Sequence, residues 1–426
     1  MVDIRPFRGL RYNTRHVDPH AVLAPPYDVV GTEAENELLA RSPYNAAHVE
    51  LAPGKSADRF GRAADVFRRW QKDGQLVRDE ELTFYLYEQE FIVEGSRARR
   101  RCFFAQVRLA LPQEGIVRPH ESTMAGPKAV RLDLMRATNA NISPIFSLFT
   151  DGAGRSREVF NQTALSPSVF EATDERGDIH RLWLITKQAD IDTLVDVLEE
   201  STVTIADGHH RYATALEYMA EQPESDAARY VLMGLIDIQD PGLAILPNHR
   251  LIRTGQTTEL TRSLSDCFEV LDLTDDLSDG REGAIELLEH VRRLADGPST
   301  FGIIESSGRL LLATGRSFET LAGKMPSTIS EASSRLDALV LTQLILGPIF
   351  DIDADALTAG AVDFSADAGE AYVATVDGDY SLAILVNSTP VQQVIDIADA
   401  GEVMPQKTTY FYPKLATGMV FNLLES

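Results

Sequence analysis

Apolar residues recur at three- and four-residue steps in Phe60, Ala64, Phe67 and Trp70. That period gathers them on one face of a helix, and it predicts one from Ser56 to Gly74, with the glycine as its stop. Thr32-Glu33-Ala34-Glu35 ahead of Leu38-Leu39 has the capping-box form and predicts a shorter helix. Two β-type runs, Leu82 to Val93 and Cys102 to Leu111, flank Glu94-Gly95-Ser96 and predict a hairpin. Residues 115–150 show no clean period and read as a long irregular segment, of a kind more often functional than idle. A helix from about Asp190 to Glu200 follows, then a strand at Tyr230 to Ile238, a turn at Asp240-Pro241-Gly242, and a strand ending in "ILPNHR". Beyond 255 the clearest helices are Arg281 to Ala295 and Ala332 to Leu346. Phe301 to Glu305 and Leu310 to Ala313 read as strands around a Ser-Ser-Gly turn. The closing stretch, "GEVMPQKTTYFYPKLATGMVFN", fits neither period.

No regular alternation of strand and helix runs through the chain, so α+β is preferred to a doubly wound sheet. The expected layout is a mixed α/β core with long functional loops in 1–253, followed by a C-terminal α+β region in 254–426. Hydrophobic content of 44% with 24% charged residues is ordinary for a soluble globular chain. The net charge of −24 matters more, because it repels polyphosphate at long range. Nucleic-acid and anionic-membrane binding are therefore not expected, and any phosphate site must be a local positive island. Cys102 and Cys267 lie in no metal-type spacing and form no disulfide framework, which fits a reducing cytoplasm. The N-terminus lacks the apolar core of a signal peptide, and no run approaches the ~18 apolar residues of a membrane span. A cytoplasmic location is expected, with homo-oligomerisation left open.

The densest chemistry lies at "STVTIADGHHRYATALEYM", where a β-type run turns into a helix-type run. With Asp207 as the expected N-cap, Gly208 to His210 form the first turn and leave amides exposed. Those amides and the positive helix end favour an anion by about 0.3–1 kcal/mol, which alone is weak. Arg211 and the imidazoles of His209 and His210 strengthen the case for a phosphate cradle, and Gly208 allows close backbone approach. A structural turn fits the same residues. A metal pair fits poorly, since adjacent histidines point about 100° apart on a helix.

Three other stretches carry candidate groups. In Arg118-Pro119-His120-Glu121-Ser122-Thr123 and Gly126-Pro127-Lys128 with Arg131, Glu121 suits a general base or Mg²⁺ ligand. Lys128 and Arg131 suit phosphate oxygens, and a solvated loop with a local ion pair explains them equally. At Met404-Pro405-Gln406-Lys407-Thr408-Thr409 and Pro413-Lys414, Lys407 with the hydroxyls of Thr408 and Thr409 offers a similar set. Its "KTT" lacks the upstream glycine frame of a P-loop, which excludes that motif. "APPYDVV" and "SPYNAAHVEL" add Asp28, Asn45 and His48, all explained by turn chemistry.

Taken with "RPFRGLRYN", "LAPPYDVV", "PYNAAHVEL", "RPHESTMAGPKAVRLDLMRATNANISPIF", "LPNHR" and "MPQKTTYFYPKLATGMV", the seam resembles a bacterial and archaeal family labelled domain of unknown function 1015. The matching stretches run in order from residue 4 to 420. One departure is visible: the family reads Lys-x-Asp-Arg-Leu where this chain has Lys128-Ala129-Val130-Arg131-Leu132. An acid is lost at Val130, and Asp133 substitutes for it only if the backbone turns.

"ADGHHR" also resembles the Asp-Gly-His-x-Arg motif of the ParB-like superfamily, which includes the free serine kinases. In that superfamily the motif opens a helix and holds nucleotide phosphates, so the resemblance implies a ParB-like core. It also implies a nucleotide-dependent kinase of free serine or a related hydroxy metabolite, using ATP or ADP with Mg²⁺. Gly208, His209, His210 and Arg211 then hold phosphates, joined by Thr123, Lys128, Arg131, Lys407 and Thr408. Glu121, Asp207 and His209 form the expected catalytic set, with Asp207 and Glu121 placing Mg²⁺. Two rivals use the same residues: a phosphatase of a metabolite such as phosphoserine, and a non-catalytic nucleotide-binding regulator. Metal hydrolysis through His120, His209 and His210 ranks last, for want of a two-histidine helix spacing.

Overall fold

The computed structural model describes residues 1–54, 56, 58–121, 125–253, 260–353, 356–357 and 360–425. The chain forms two compact units: Met1–Ala244 together with Pro413–Ser426, and Ile245–Tyr412. The sequence placed a single division after residue 253, whereas the chain leaves the first unit at 244 and re-enters it at 413. Backbone pairing holds the returning tail. Asn422–Leu423 pairs with Ala140–Asn141, Leu10 N–H donates to the Phe421 carbonyl, and Thr417 bridges to Ala24.

The first unit is built on a nine-stranded mixed sheet. Its strands are β1 (Ile4–Arg5), β2 (Phe84–Val93), β3 (Ser96–Arg108), β4 (Val117–Pro119), β5 (Ile145–Phe149), β6 (Phe170–Thr173), β7 (Ile179–Ile185), β8 (Val203–Asp207) and β9 (Tyr230–Asp237). They lie in the order β4-β8-β5-β9-β3-β2-β7-β6, with β1 pairing β3. The hairpin β2–β3 turns on Glu94 and Gly95, both at positive φ (48° and 74°), which matches the right-handed twist of its strands. β3 starts six residues before the expected Cys102, because its arginines are paired across the strands. Arg101 Nε, for example, donates to Glu88 Oε2 at 2.7 Å.

The longer helices of this unit are α1 (Thr32–Arg41), α2 (Arg59–Lys72), α3 (Ala125–Thr138), α4 (Arg155–Thr163), α5 (Gln188–Glu199) and α6 (His209–Glu221). Ala64, Phe67 and Trp70 of α2 are buried as their spacing requires. Thr32 is already helical in α1 and Gly31 takes the N-cap, so the expected capping box does not form. The larger correction concerns 115–150, read as irregular. It contains β4, β5 and the fourteen-residue α3, which packs against α2 and α6. Arg131 sits on the buried face of α3 beside Leu132 and Leu134, and a charge there broke the apolar period. A core that includes Phe84, Phe103, Val107, Leu194, Ile205 and Met233 joins the sheet to α4, α5 and α6.

The second unit is an antiparallel six-stranded sheet: β10 (His249–Ile252), β11 (Phe268–Asp272), β12 (Thr300–Glu305), β13 (Leu310–Gly315), β14 (Val362–Ser365) and β15 (Leu382–Leu385), in the order β11-β13-β12-β15-β10-β14. The period-2 alternation sends Phe301, Ile303 and Leu311 to one apolar layer. Ile304, Leu310 and Leu312 enter another, with Leu287 and Val291 of α7 (Arg281–Arg293). The expected helix Ala332 to Leu346 is broken into Glu331–Ser334, Asp337–Leu341 and a π-helical turn at Thr342–Leu346. Among the described residues, no helix is long and apolar enough to cross a membrane.

Candidate functional site

Strand register explains why distant segments meet. β4 and β8 run parallel, with Val203 opposite Val117 and Ile205 opposite Pro119. Both strands end at the same edge, so His120-Glu121 emerges beside Asp207-Gly208-His209. β5 runs antiparallel to β8 and sets Phe146 opposite Asp207, which brings the preceding Pro144 to that edge too. The register shifts between Ile205 and Asp207. Such a bulge re-aims the side chain at the end of a strand.

Asp207 is the last strand residue and not the N-cap. Gly208 takes that position at φ 93°, and no side chain caps α6. The Asp207 carboxylate is instead held by two cations: Oδ2 accepts from Arg211 Nη2 at 2.6 Å, and Oδ1 accepts from Lys414 Nζ. Burial pushes this carboxyl up, but Lys414 and Arg211 outweigh it and hold the group well below the usual carboxylate range. Reciprocally, burial works against the charge on Lys414, while Asp207, with Asp28 adding to the field, keeps it protonated.

Arg211 is 8% exposed and also donates through Nη1 to the Pro144 carbonyl. Its guanidinium lies under Gly208, where an added Cβ would sit 2.9 Å from Nε. Glycine is thus required by both the positive φ and the arginine beneath it. The expected free phosphate clamp at Arg211 is instead a group folded back to fix Asp207.

His120 is fully buried, and its Nδ1 faces the Ile205 carbonyl, which can only accept, so Nδ1 carries a proton. The rings of His120 and His209 meet edge to face, with centroids 4.6 Å apart. The His120 backbone N–H donates to His209 Nε2 at 3.3 Å, which assigns the His209 proton to Nδ1. Burial, and then the neighbouring His120, lower His209 to about 3, so it is neutral at pH 7. With its Nε2 lone pair engaged, its Nδ1–H is the group that can donate. Glu121 lies 3.6 Å from His120 Nε2. Burial raises its carboxyl, but His120, His209 and Lys414 prevail and hold it at about 2, ionised.

The other expected site residues divide. Arg131 is buried on α3 and faces Glu50, with Nη1 3.3 Å from Oε1. Lys128 turns along the helix surface to Glu217 at 2.7 Å. Asp133 points outward to Arg136, so α3 does not let it replace the acid missing at Val130. His210 is half-buried in the first turn of α6. Thr123 lies outside the described residues. Lys407 and Thr408 belong to the second unit, where the Lys407 carbonyl accepts from Asn248 and Thr408 Oγ1 donates to the Pro405 carbonyl at 2.6 Å.

Sequence reading gave no site role to Lys414 or Glu50, nor to Tyr27, over whose ring the Arg131 guanidinium stacks at 4.1 Å. The available signal was the Pro-Tyr turn of "APPYDVV" and the acid in "AHVEL", both of which turn chemistry explained too cheaply. Among the described residues, no group of three or more His, Cys, Asp or Glu is placed to hold a metal. Mg²⁺ brought with phosphates needs only one or two carboxylates. Both Asp207 oxygens already face cations, so Glu121 fits that role better.

A family model described as protein of unknown function (DUF1015) matches residues 4–339. No curated protein matches at a significant level. Among solved structures, free serine kinase in complex with AMP is similar at 13% identity, over 72% of this chain and 86% of that one, with a TM-score of 0.36. A conserved hypothetical protein from Pyrococcus furiosus is similar at 12% identity, over 74% and 93%, with a TM-score of 0.35. SbnI with a C-terminal truncation, from Staphylococcus aureus, gives 10% identity, 75% and 89%, and 0.35. Likenesses this distant carry no functional argument.

Proposed function

The chain belongs to the DUF1015 family, and for it we propose a nucleotide-dependent phosphotransferase acting on the hydroxyl of a small metabolite, free serine or a relative of it. One observation carries the reading. The uncapped N-terminus of α6 coincides with a buried Lys414–Asp207–Arg211 triad, a neutral His209 and an ionised Glu121. In an acidic chain the two cations here offset Asp207 and Glu121, and with the positive helix end beside them this charge-balanced cluster suits phosphoryl transfer. Amides of the first turn of α6 and the Nδ1–H of His209 donate to phosphate oxygens. Lys414 is a fixed charge against the transferring group. The acceptor oxygen forms its bond to phosphorus as the bond to the nucleotide's bridging oxygen breaks, and the hydroxyl proton passes to Glu121. A carboxylate held near 2 is a weak base. Phosphoryl transfer with a loose transition state asks mainly for orientation of the hydroxyl, which a fixed acceptor supplies. ATP or ADP with Mg²⁺ is the phosphoryl donor in this reading.

The test is transfer from ATP or ADP to a panel of hydroxy compounds, followed by ³¹P NMR with Mg²⁺ present. Lys414→Met is expected to lower turnover at least 100-fold, and Glu121→Gln to lower kcat with little change in nucleotide affinity. Absence of transfer to every acceptor, with nucleotide affinity untouched in Lys414→Met and His209→Ala, overturns the proposal.

A further inference from the structure

β2 and β3 pair with Tyr87 opposite Cys102 and Gln89 opposite Arg100. Strand alternation sends these four side chains to one face of the sheet, where Gln89 and Arg100 are each 1% exposed. An amide and a guanidinium buried inside a sheet carry a desolvation cost that apolar residues would avoid, so their partners are informative.

Those partners belong to the returning C-terminal segment. Gln89 Nε2 donates to the Lys414 carbonyl at 3.0 Å, and Arg100 Nη2 donates to the Pro413 carbonyl at 2.5 Å. Arg100 Nη2 also donates to Gln89 Oε1, which assigns the amide: oxygen toward the guanidinium, N–H₂ toward the tail. Further along, Leu415 packs over Gly234 of β9, where an added Cβ would sit 2.5 Å from Leu415 Cδ1. The Ala416 N–H donates to the Tyr87 hydroxyl oxygen. Four consecutive residues, 413–416, are thus held on one face of β2, β3 and β9. The Arg100 guanidinium also lies over the Phe146 ring, 4.6 Å from its centroid, and Phe146 stands opposite Asp207. One buried arginine therefore touches both the residue before Lys414 and the residue opposite Asp207.

This matters because a lysine side chain has large rotamer freedom. The Lys414 ammonium nevertheless ends on Asp207 Oδ1, and the backbone that carries it is fixed on both sides. We propose that Gln89 and Arg100 are positioning residues for Lys414, clamping its backbone so that the ammonium stays at the edge where the chemistry lies. Both are buried, so they act through Lys414 and not on a ligand. Their part in turnover rests on the phosphotransferase reading; the clamp itself does not.

Gln89→Glu is the deciding variant. It keeps the size and gives Arg100 a charged acceptor, while an oxygen replaces the donor to the Lys414 carbonyl. Amine labelling of the full chain with acetic anhydride, read by mass spectrometry, reports the clamp without assuming any reaction. Lys414 labelling is expected to rise roughly tenfold, as suits the loss of one buried hydrogen bond, with Lys128 as the unchanged reference. In transfer assays kcat is expected to fall about tenfold with nucleotide KM within about threefold. That loss should vanish in the Lys414→Met background, whereas a merely structural defect would add to it. Gln89→Met removes the same donor without adding charge and gives the same readings if the glutamate variant does not fold, as circular dichroism shows. Unchanged Lys414 labelling overturns the proposal, as does a kcat loss that persists undiminished in Lys414→Met. Raised labelling with no phosphate transfer even by the wild-type chain keeps the clamp and removes the kinase reading.

Discussion

The two units handle charge differently. In the second, strands alternate cleanly and both faces of an antiparallel sheet are covered by apolar side chains. There Asn248 donates to the carbonyls of Lys407 and Thr409, and the buried Glu305 pairs with Arg309 at the surface. In the first, parallel strand ends open the sheet edge, and ionised groups are packed there: Asp207 with two cations, and Glu50 with Arg131. Well-packed apolar residues would stabilise that region as well or better. Buried charge at the ends of parallel strands is therefore evidence of chemistry, whereas a buried apolar layer is evidence only of folding.

The largest test of this contrast pairs a charge deletion with a core deletion. Asp207→Ala leaves Lys414 and Arg211 buried without their counter-charge and is expected to cost about 3–5 kcal/mol. Ile384→Ala in the second unit, fully buried, is expected to cost about 2–5 kcal/mol through its cavity. Urea unfolding reads both, and only the first should abolish nucleotide binding by the folded protein. Equal loss of binding in both variants would break the contrast.

A smaller effect comes with pH. His209 is lowered from 6.5 to about 3, so the unfolded chain takes up protons that the folded site refuses. Its contribution to stability is complete above pH 6.5 and declines toward 3. Glu121, lowered from 4.5 to about 2, adds a further loss between those values as its carboxylate is protonated. Melting temperature followed from pH 7.5 to 4 should fall more steeply for the wild type than for His209→Asn. Coincident slopes would show that the imidazole is not held neutral.

The smallest concerns Lys407, a non-glycine residue at φ 58°. Lys407→Gly relieves a left-handed backbone and is expected to stabilise the chain by roughly 0.5 kcal/mol, after the entropy glycine adds to the unfolded state. A gain in stability with unchanged turnover would remove Lys407 from the site. A gain with falling turnover would mark strain kept for function.

Local features were legible in the chain itself. The hairpin at Glu94-Gly95, the α2 stripe of Phe67 and Trp70, and the strand-to-helix seam at residues 203–211 all follow from nearest-neighbour spacing and turn chemistry. The family could be read too, because its motifs survive in order. The helix α3 was hidden by the arginine on its buried face.

The site's membership was decided by tertiary structure. Asp207 meets Lys414 across 207 residues, and Arg131 meets Glu50 across 81. No local period encodes such pairings, which arise from parallel strand register and the return of the C-terminal segment. The same packing changed roles read from the motif: Gly208 became the cap and Asp207 the anchor of two cations. A motif specifies which groups are present; whether each carries a charge, and what it faces, depends on the burial and partners that folding supplies.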